Sequence, residues 1–362
     1  MKTSALIFSL FIAFFSSGMA GEVSRVYYFR EPLLLPHGEY HTIHLEGARL
    51  FGEPGKATMP FYPVKLLLPP GEVALSVEIE FGQEKLITGN YKLLPRQQTR
   101  PFSEGDSGIW LEDQDFYQSF EAYPSAHSSK ISTHFMNGSG IALSAFIPVR
   151  YVPATGQVSY YSTVTVTVRT GPDPDAGQRN ARFYPSPGNM SRLAGHVQNP
   201  EGIALYLTGR ELRTTDYDYL VVTKNQYINN FDTLVRFYKP RGVLTKTVAT
   251  EYIDTAMTGI DLQEKIRNYI IQEYEDHGIS YVLIGGDEEV VPYRGFYCYV
   301  QSGGGYSDSG IPADLYYSAL DGTWNDDGDE LWGEPGEDDL YPEVAVGRLT
   351  FSSSAELQRM LH

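Results

Sequence analysis

The chain changes its hydrophobic period once, and that change constrains the fold more than any other feature. Up to about residue 170, apolar residues recur at every second position. Ala74 to Phe81 alternates in this way. Gln157 to Thr170 does so more strictly, with Val164, Val166 and Val168 on one face and threonines on the other. A period of two is that of a half-buried strand. Asn137-Gly138 and Thr155-Gly156 supply turns, and Pro69-Pro70-Gly71 closes an apolar run. Short strands at this spacing predict an all-β sandwich over residues 21–170.

Beyond it, residues 171–202 carry Gly171-Pro-Asp-Pro-Asp175 and Pro185-Ser-Pro-Gly188, a texture that predicts a linker. Arg179, Arg182 and Arg192 within it offer bonds to a trypsin-like protease. From residue 203 to 362, strand and helix patterns alternate. Tyr219–Thr223, Val243–Val248, Tyr281–Gly286 and Glu343–Gly347 read as strands, and Tyr281–Gly286 is apolar throughout, as in a parallel sheet covered on both faces. Phe231–Tyr238 and Asp261–His277 have helical spacing, and Gly278 stands where a C-terminal cap belongs. The order predicts a parallel, doubly wound α/β subdomain. Its last helix begins near Ser354 and has no stop signal before His362, so this subdomain is expected to be incomplete at its C-terminus.

A length of 362 residues and 42% apolar content fit two packed domains rather than a disordered chain. Met1-Lys2, the apolar run from Ala5 to Phe15 and Gly18-Met19-Ala20 form an export signal over residues 1–20. The run is too short for a bilayer core of about 30 Å, so no membrane span is expected and the protein is placed outside the cell or on its surface. The single cysteine, Cys298, excludes an internal disulfide framework.

The net charge of −17 argues against a nucleic-acid partner. It is also uneven. Gly295 to Gly347 holds no Lys or Arg and twelve acids, and without them the rest of the chain carries only −5. Within that stretch Asp321, Asn325, Asp327, Asp329 and Glu330 crowd oxygen ligands around Gly328. Calcium takes six to eight such oxygens, so these five are the candidate metal ligands and calcium the expected structural cofactor. The EF-hand register is imperfect: with Gly328 as the turn glycine, Thr323 occupies the first ligand position. The bland alternative is a solvated acidic turn.

Cys298 and His277 invite a nucleophile–base reading. The surroundings argue otherwise. His277 ends an amphipathic helix, where a cation complements the dipole, and Cys298 sits among aromatics like a small core residue. Gly285-Gly286-Asp287 lacks the lysine or the glycine spacing of a phosphate loop. The sequons at Asn137 and Asn189 matter only in a glycosylating host.

Gly52-Glu-Pro-Gly-Lys-Ala-Thr-Met-Pro60, Leu68-Pro-Pro-Gly71 and Pro148-Val-Arg-Tyr-Val-Pro-Ala-Thr-Gly156 resemble the propeptide of gingipain-like cysteine peptidases. Tyr219–Thr223, Tyr281–Asp287, Ile311–Tyr317, Leu320-Asp-Gly322 and Pro342-Glu-Val-Ala-Val-Gly-Arg348 are similar to the start of the peptidase domain. The resemblance implies a β-sandwich propeptide that docks on its own peptidase domain and keeps it latent. It also implies a caspase-like, flavodoxin-like first half that helps bind calcium, and protein or peptide substrates. The family's catalytic His-Gly follows a strand, whereas His277-Gly278 follows a helix. Cys298 precedes the acidic loop, where the family's nucleophile does not lie. No catalytic residue is therefore carried over, and the Cys/His dyad is expected beyond residue 362. The alternative is a secreted, non-catalytic binding or surface module that has kept the fold. A downstream reading frame with His-Gly and a later Ala-Cys after apolar strands would favour the enzyme.

Overall fold

The computed structural model describes residues 21–98, 110–214, 216–301 and 305–361, so the export signal assigned to residues 1–20 lies outside the described residues. No helix among them is long and apolar enough to cross a membrane.

The N-terminal strands pair antiparallel. One sheet orders Glu22–Tyr28, Thr163–Pro172 and Glu72–Phe81. Another orders Arg49–Phe51, Met59–Leu67, Ser139–Phe146 and Ser132–Met136. Val164, Val166 and Val168 are fully buried. They share one core with Val64, Leu66, Ala142 and Phe146 from the other sheet, while the intervening threonines stay half-exposed. The alternation in the sequence is thus the alternation of burial. One expectation needs correcting. Gln157 to Thr170 is two strands, not one: Gln157–Tyr161 joins a third sheet with Val149–Val152 and Glu84–Leu86. Ser162 lies between them, and Val158 and Tyr160 serve a separate core with Ile43, Met59 and Leu93.

The C-terminal sheet is parallel throughout, in the order Thr245–Ala249, Tyr219–Thr223, Tyr281–Gly285, Ala345–Leu349. Leu220, Val221, Val222, Val282 and Ile284 are all buried, as expected of a sheet covered on both faces. Two strand positions shift from the sequence reading, to Thr245–Ala249 and Ala345–Leu349. The shift leaves Glu343 in the loop before its strand. The Leu262–His277 helix begins where Asp261 accepts a hydrogen bond from the Glu264 amide at 2.9 Å. It ends at Gly278, whose φ of 69° is left-handed, and any Cβ there would strike the Tyr184 ring.

The segment expected as a linker over 171–202 is not a tether. It folds into helices Ala176–Arg182 and Pro187–His196, the second capped by Ser186. Its apolar residues are few, but Met190, Leu193 and Val197 keep helical spacing and are buried against Leu67, Met136 and Ile141 of the β unit. Tyr184 meanwhile packs into the α/β core. The segment therefore cements the two units together.

Candidate metal centre

The acidic stretch folds around one buried cation. Arg267, on the Leu262–His277 helix, is 5% exposed and donates to the carbonyls of Tyr316, Ala319, Asp321 and Gly322 at 3.0–3.2 Å. This holds the backbone around Asp321 to the core. Trp324 follows, buried under Phe296 with ring centroids 4.5 Å apart. Its φ of 67° is unusual for a bulky residue and marks a strained turn. Trp324 splits the loop: Asp321 faces inward, whereas Asp326, Asp327, Asp329 and Glu330 face solvent.

The inward part meets two residues from further along. Oxygens of Asp321, Asp339 and Glu343 lie within 4.8 Å of one another. Glu343 is fully buried. One oxygen accepts from the Asn137 amide at 3.1 Å and the other from the Leu320 amide at 2.7 Å. Burial, then repulsion from Asp321 and Asp339, holds its carboxyl well above the usual range. Burial foremost, with Asp321 adding, pushes Asp339 up to about 7. Asp339 Oδ2 and Asp321 Oδ2 are buried and take no hydrogen bond. Three carboxylates within reach of one another, two of them pushed up by burial and two of their oxygens left without a hydrogen bond, fit a hard divalent cation.

The β unit reaches this centre through the tip of the hairpin joining Ser132–Met136 to Ser139–Phe146. Asn137 is fully buried in a left-handed turn (φ 50°), and its side-chain oxygen accepts from the Tyr274 hydroxyl at 2.6 Å and from Arg192 at 3.0 Å. Gly138 abuts the Arg179 carbonyl so closely that a Cβ would overlap it. Arg192 also donates to the Glu343 carbonyl. Arg179 reaches Asp321 at 3.1 Å and Arg182 reaches it at 3.8 Å. Both sequon asparagines, Asn137 and Asn189, are buried in this joint.

The five ligands expected from sequence do not converge. Asp321 belongs to the buried group. Asp327 and Asp329 instead meet Glu334 in an exposed group. Asn325 donates to the Asp329 carbonyl at 2.7 Å, and Glu330 stands in neither group. Asp339 and Glu343, which complete the buried group with Asp321, were not among the five. The signal available was the spacing Asp339-x-Tyr341-x-Glu343 just ahead of the strand Ala345–Leu349. Cys298 is exposed on the hairpin Arg294–Gln301/Gly305–Ala313, opposite Asp308, and His277 pairs with Asp216 at 2.9 Å. Among the described residues no hydrogen bond joins Cys298 to His277.

Family models account for both units. The model of the C25 propeptide matches residues 34–186, and that of peptidase family C25 matches residues 213–362. The chain belongs to peptidase family C25. By family it is the precursor of a cysteine-type endopeptidase, propeptide first and peptidase domain second.

Among curated proteins none matches this C25 chain. Two of the solved structures that resemble it, both from Porphyromonas gingivalis, cover mainly one of its units. The gingipain K structure on zymogenic latency is 17% identical over 42% of this chain and 87% of its own, with a TM-score of 0.36. The complex of RgpB pro- and mature domains is 12% identical over 49% and 93%, with a TM-score of 0.39. Gingipain R is 23% identical over 40% of this chain but only 27% of its own, with a TM-score of 0.29.

Proposed function

We propose that the chain is an exported, latent precursor of a gingipain-like cysteine endopeptidase that acts on protein or peptide substrates. Residues 21–170 are its β-sandwich propeptide, and residues 203–362 the first caspase-like, flavodoxin-like part of its peptidase domain. What supports this most is the joint. The unit matched as propeptide buries its Asn137 hairpin tip against Glu343 of the unit matched as peptidase. In such enzymes a histidine activates the cysteine thiol for attack on the scissile carbonyl. His277 is paired with Asp216, and among the described residues no hydrogen bond joins it to Cys298, so we assign latency and scaffold to this chain rather than a nucleophile.

Calcium is the cation we assign, to Asp321, Asp339 and Glu343 rather than to the exposed Asp327, Asp329 and Glu334. When bound, it would neutralise the charge that burial disfavours on Asp339 and Glu343. The chain's own contribution is to aim the carboxylates: Arg267 fixes the Asp321 turn, and the amides of Asn137 and Leu320 orient Glu343. Two measurements test the reading. The 362-residue chain should cleave no member of a peptide library under reducing conditions; thiol-dependent cleavage lost in Cys298→Ala would overturn the assignment. Millimolar calcium should raise the melting temperature of the wild type by mass action, and not that of Glu343→Gln. An equal rise in both would move the cation elsewhere.

A further inference from the structure

We infer that the helical segment joining the two units and the cation compete for Asp321, so that cation uptake loosens the segment. This rests on the cation site proposed above. Asp321 is 6% exposed, and its charge is already taken up in the joined chain. Arg179 Nη1 lies 3.1 Å and Arg182 Nη1 3.8 Å from its Oδ1, both from the Ala176–Arg182 helix. Asp321 Oδ2 is buried without a partner, and the carboxylates of Asp339 and Glu343 stand beside it. Arg267 faces the same group but is committed to four carbonyls, so it stays with the peptidase unit.

The two arginines are not equally anchored. Arg182 has a second carboxylate, Glu275, at 3.2 Å from its Nε. Arg179 has only Asp321 as an ion-pair partner among the described residues; its guanidinium otherwise lies over the Phe135 ring, and its Nε is buried with no hydrogen bond. A divalent cation on the carboxylates removes the negative charge that holds these guanidinium groups and adds positive charge beside them. In a site out of bulk water that repulsion is weakly screened. Linkage makes the effect reciprocal: arginines that cation binding expels must themselves weaken cation binding.

The test uses the full 362-residue chain and calcium alone. Titration calorimetry on wild type and on the double variant Arg179→Gln/Arg182→Gln should show the variant binding calcium about tenfold or more tightly. The uptake is assigned to this site by its loss in Glu343→Gln. Hydrogen exchange on the wild type should show calcium speeding exchange across residues 176–196. Uptake by the double variant only would support the inference, because the arginines then block the site outright. Equal affinity in both proteins would overturn the inference and leave the cation site standing. No uptake by either would remove both. Should the double variant fail to fold, unchanged or slower exchange in residues 176–196 of the wild type on adding calcium would overturn it.

Discussion

Two groups of three carboxylates come from the same acidic stretch and have opposite fates. Asp327, Asp329 and Glu334 sit in a solvent-facing loop. There water screens their repulsion, and their side chains serve local turns, such as Asp327 Oδ1 accepting from the Asp329 amide at 3.1 Å. Asp321, Asp339 and Glu343 are drawn into the joint between the units, where screening is lost and every oxygen needs a partner. Ligand density along the chain points to Asp327 and Asp329 of the first group but takes in only Asp321 of the second. Burial singles out the second. Acid crowding alone therefore says little about cation binding, because the energetic demand for a cation comes from desolvation.

The contrast is broken most sharply by truncation. Glu343→Ala leaves the amides of Asn137 and Leu320 without an acceptor inside the joint, and should cost roughly 3 kcal/mol or more in urea unfolding. Asp327→Ala should cost within about 0.5 kcal/mol. Equal costs would show that Glu343 is not embedded as described.

Limited trypsinolysis probes the same joint from its other side. Arg179 and Arg182 are helical and paired with Asp321, and Arg192 is bound to Asn137 and Glu343. The stretch from Thr208 to Thr214 is exposed and outside regular structure, and it holds Arg210 and Arg213. A protease needs several residues of free backbone, so the first cuts should follow Arg210 or Arg213. Early cuts after Arg179, Arg182 or Arg192 would mean that the joint opens readily.

The smallest effect is expected at the rim. His134 packs on Tyr341 with ring centroids 5.5 Å apart; burial lowers its imidazole below the usual value, with Asp338 opposing. The unfolded chain then takes up the proton more readily than the folded one. Stability should fall as pH drops through about 6.5, and His134→Gln should remove a part on the order of 1 °C in Tm between pH 7.5 and 5.5. An identical pH profile in wild type and variant would detach His134 from the joint.

Much of the fold was legible because it follows from local period. The Val164, Val166 and Val168 face, the Leu262–His277 helix with its Gly278 cap, and the strands Tyr219–Thr223 and Tyr281–Gly285 stand where the sequence places them, while the other two strands of the parallel sheet begin two residues later. The joining segment was not legible. Its Pro and Gly content looks like a tether, and the few apolar residues that make it rigid matter only because Leu67, Met136 and Ile141 await them. The Arg294–Ala313 hairpin with Cys298 also escaped, since exposed two-stranded ribbons carry no burial pattern.

By itself the sequence determined the two architectures, their order, the family and the concentration of acid in one stretch. All of these depend on residues close together in the chain. Only the tertiary structure decided which acids form a centre and what faces them. Asp321, Asp339 and Glu343 meet because Arg267 pins one turn and the Asn137 hairpin closes over the other, while Arg179 and Arg182 arrive from a third element. Desolvation acts on what is near in space, and no local period in the chain encodes that proximity.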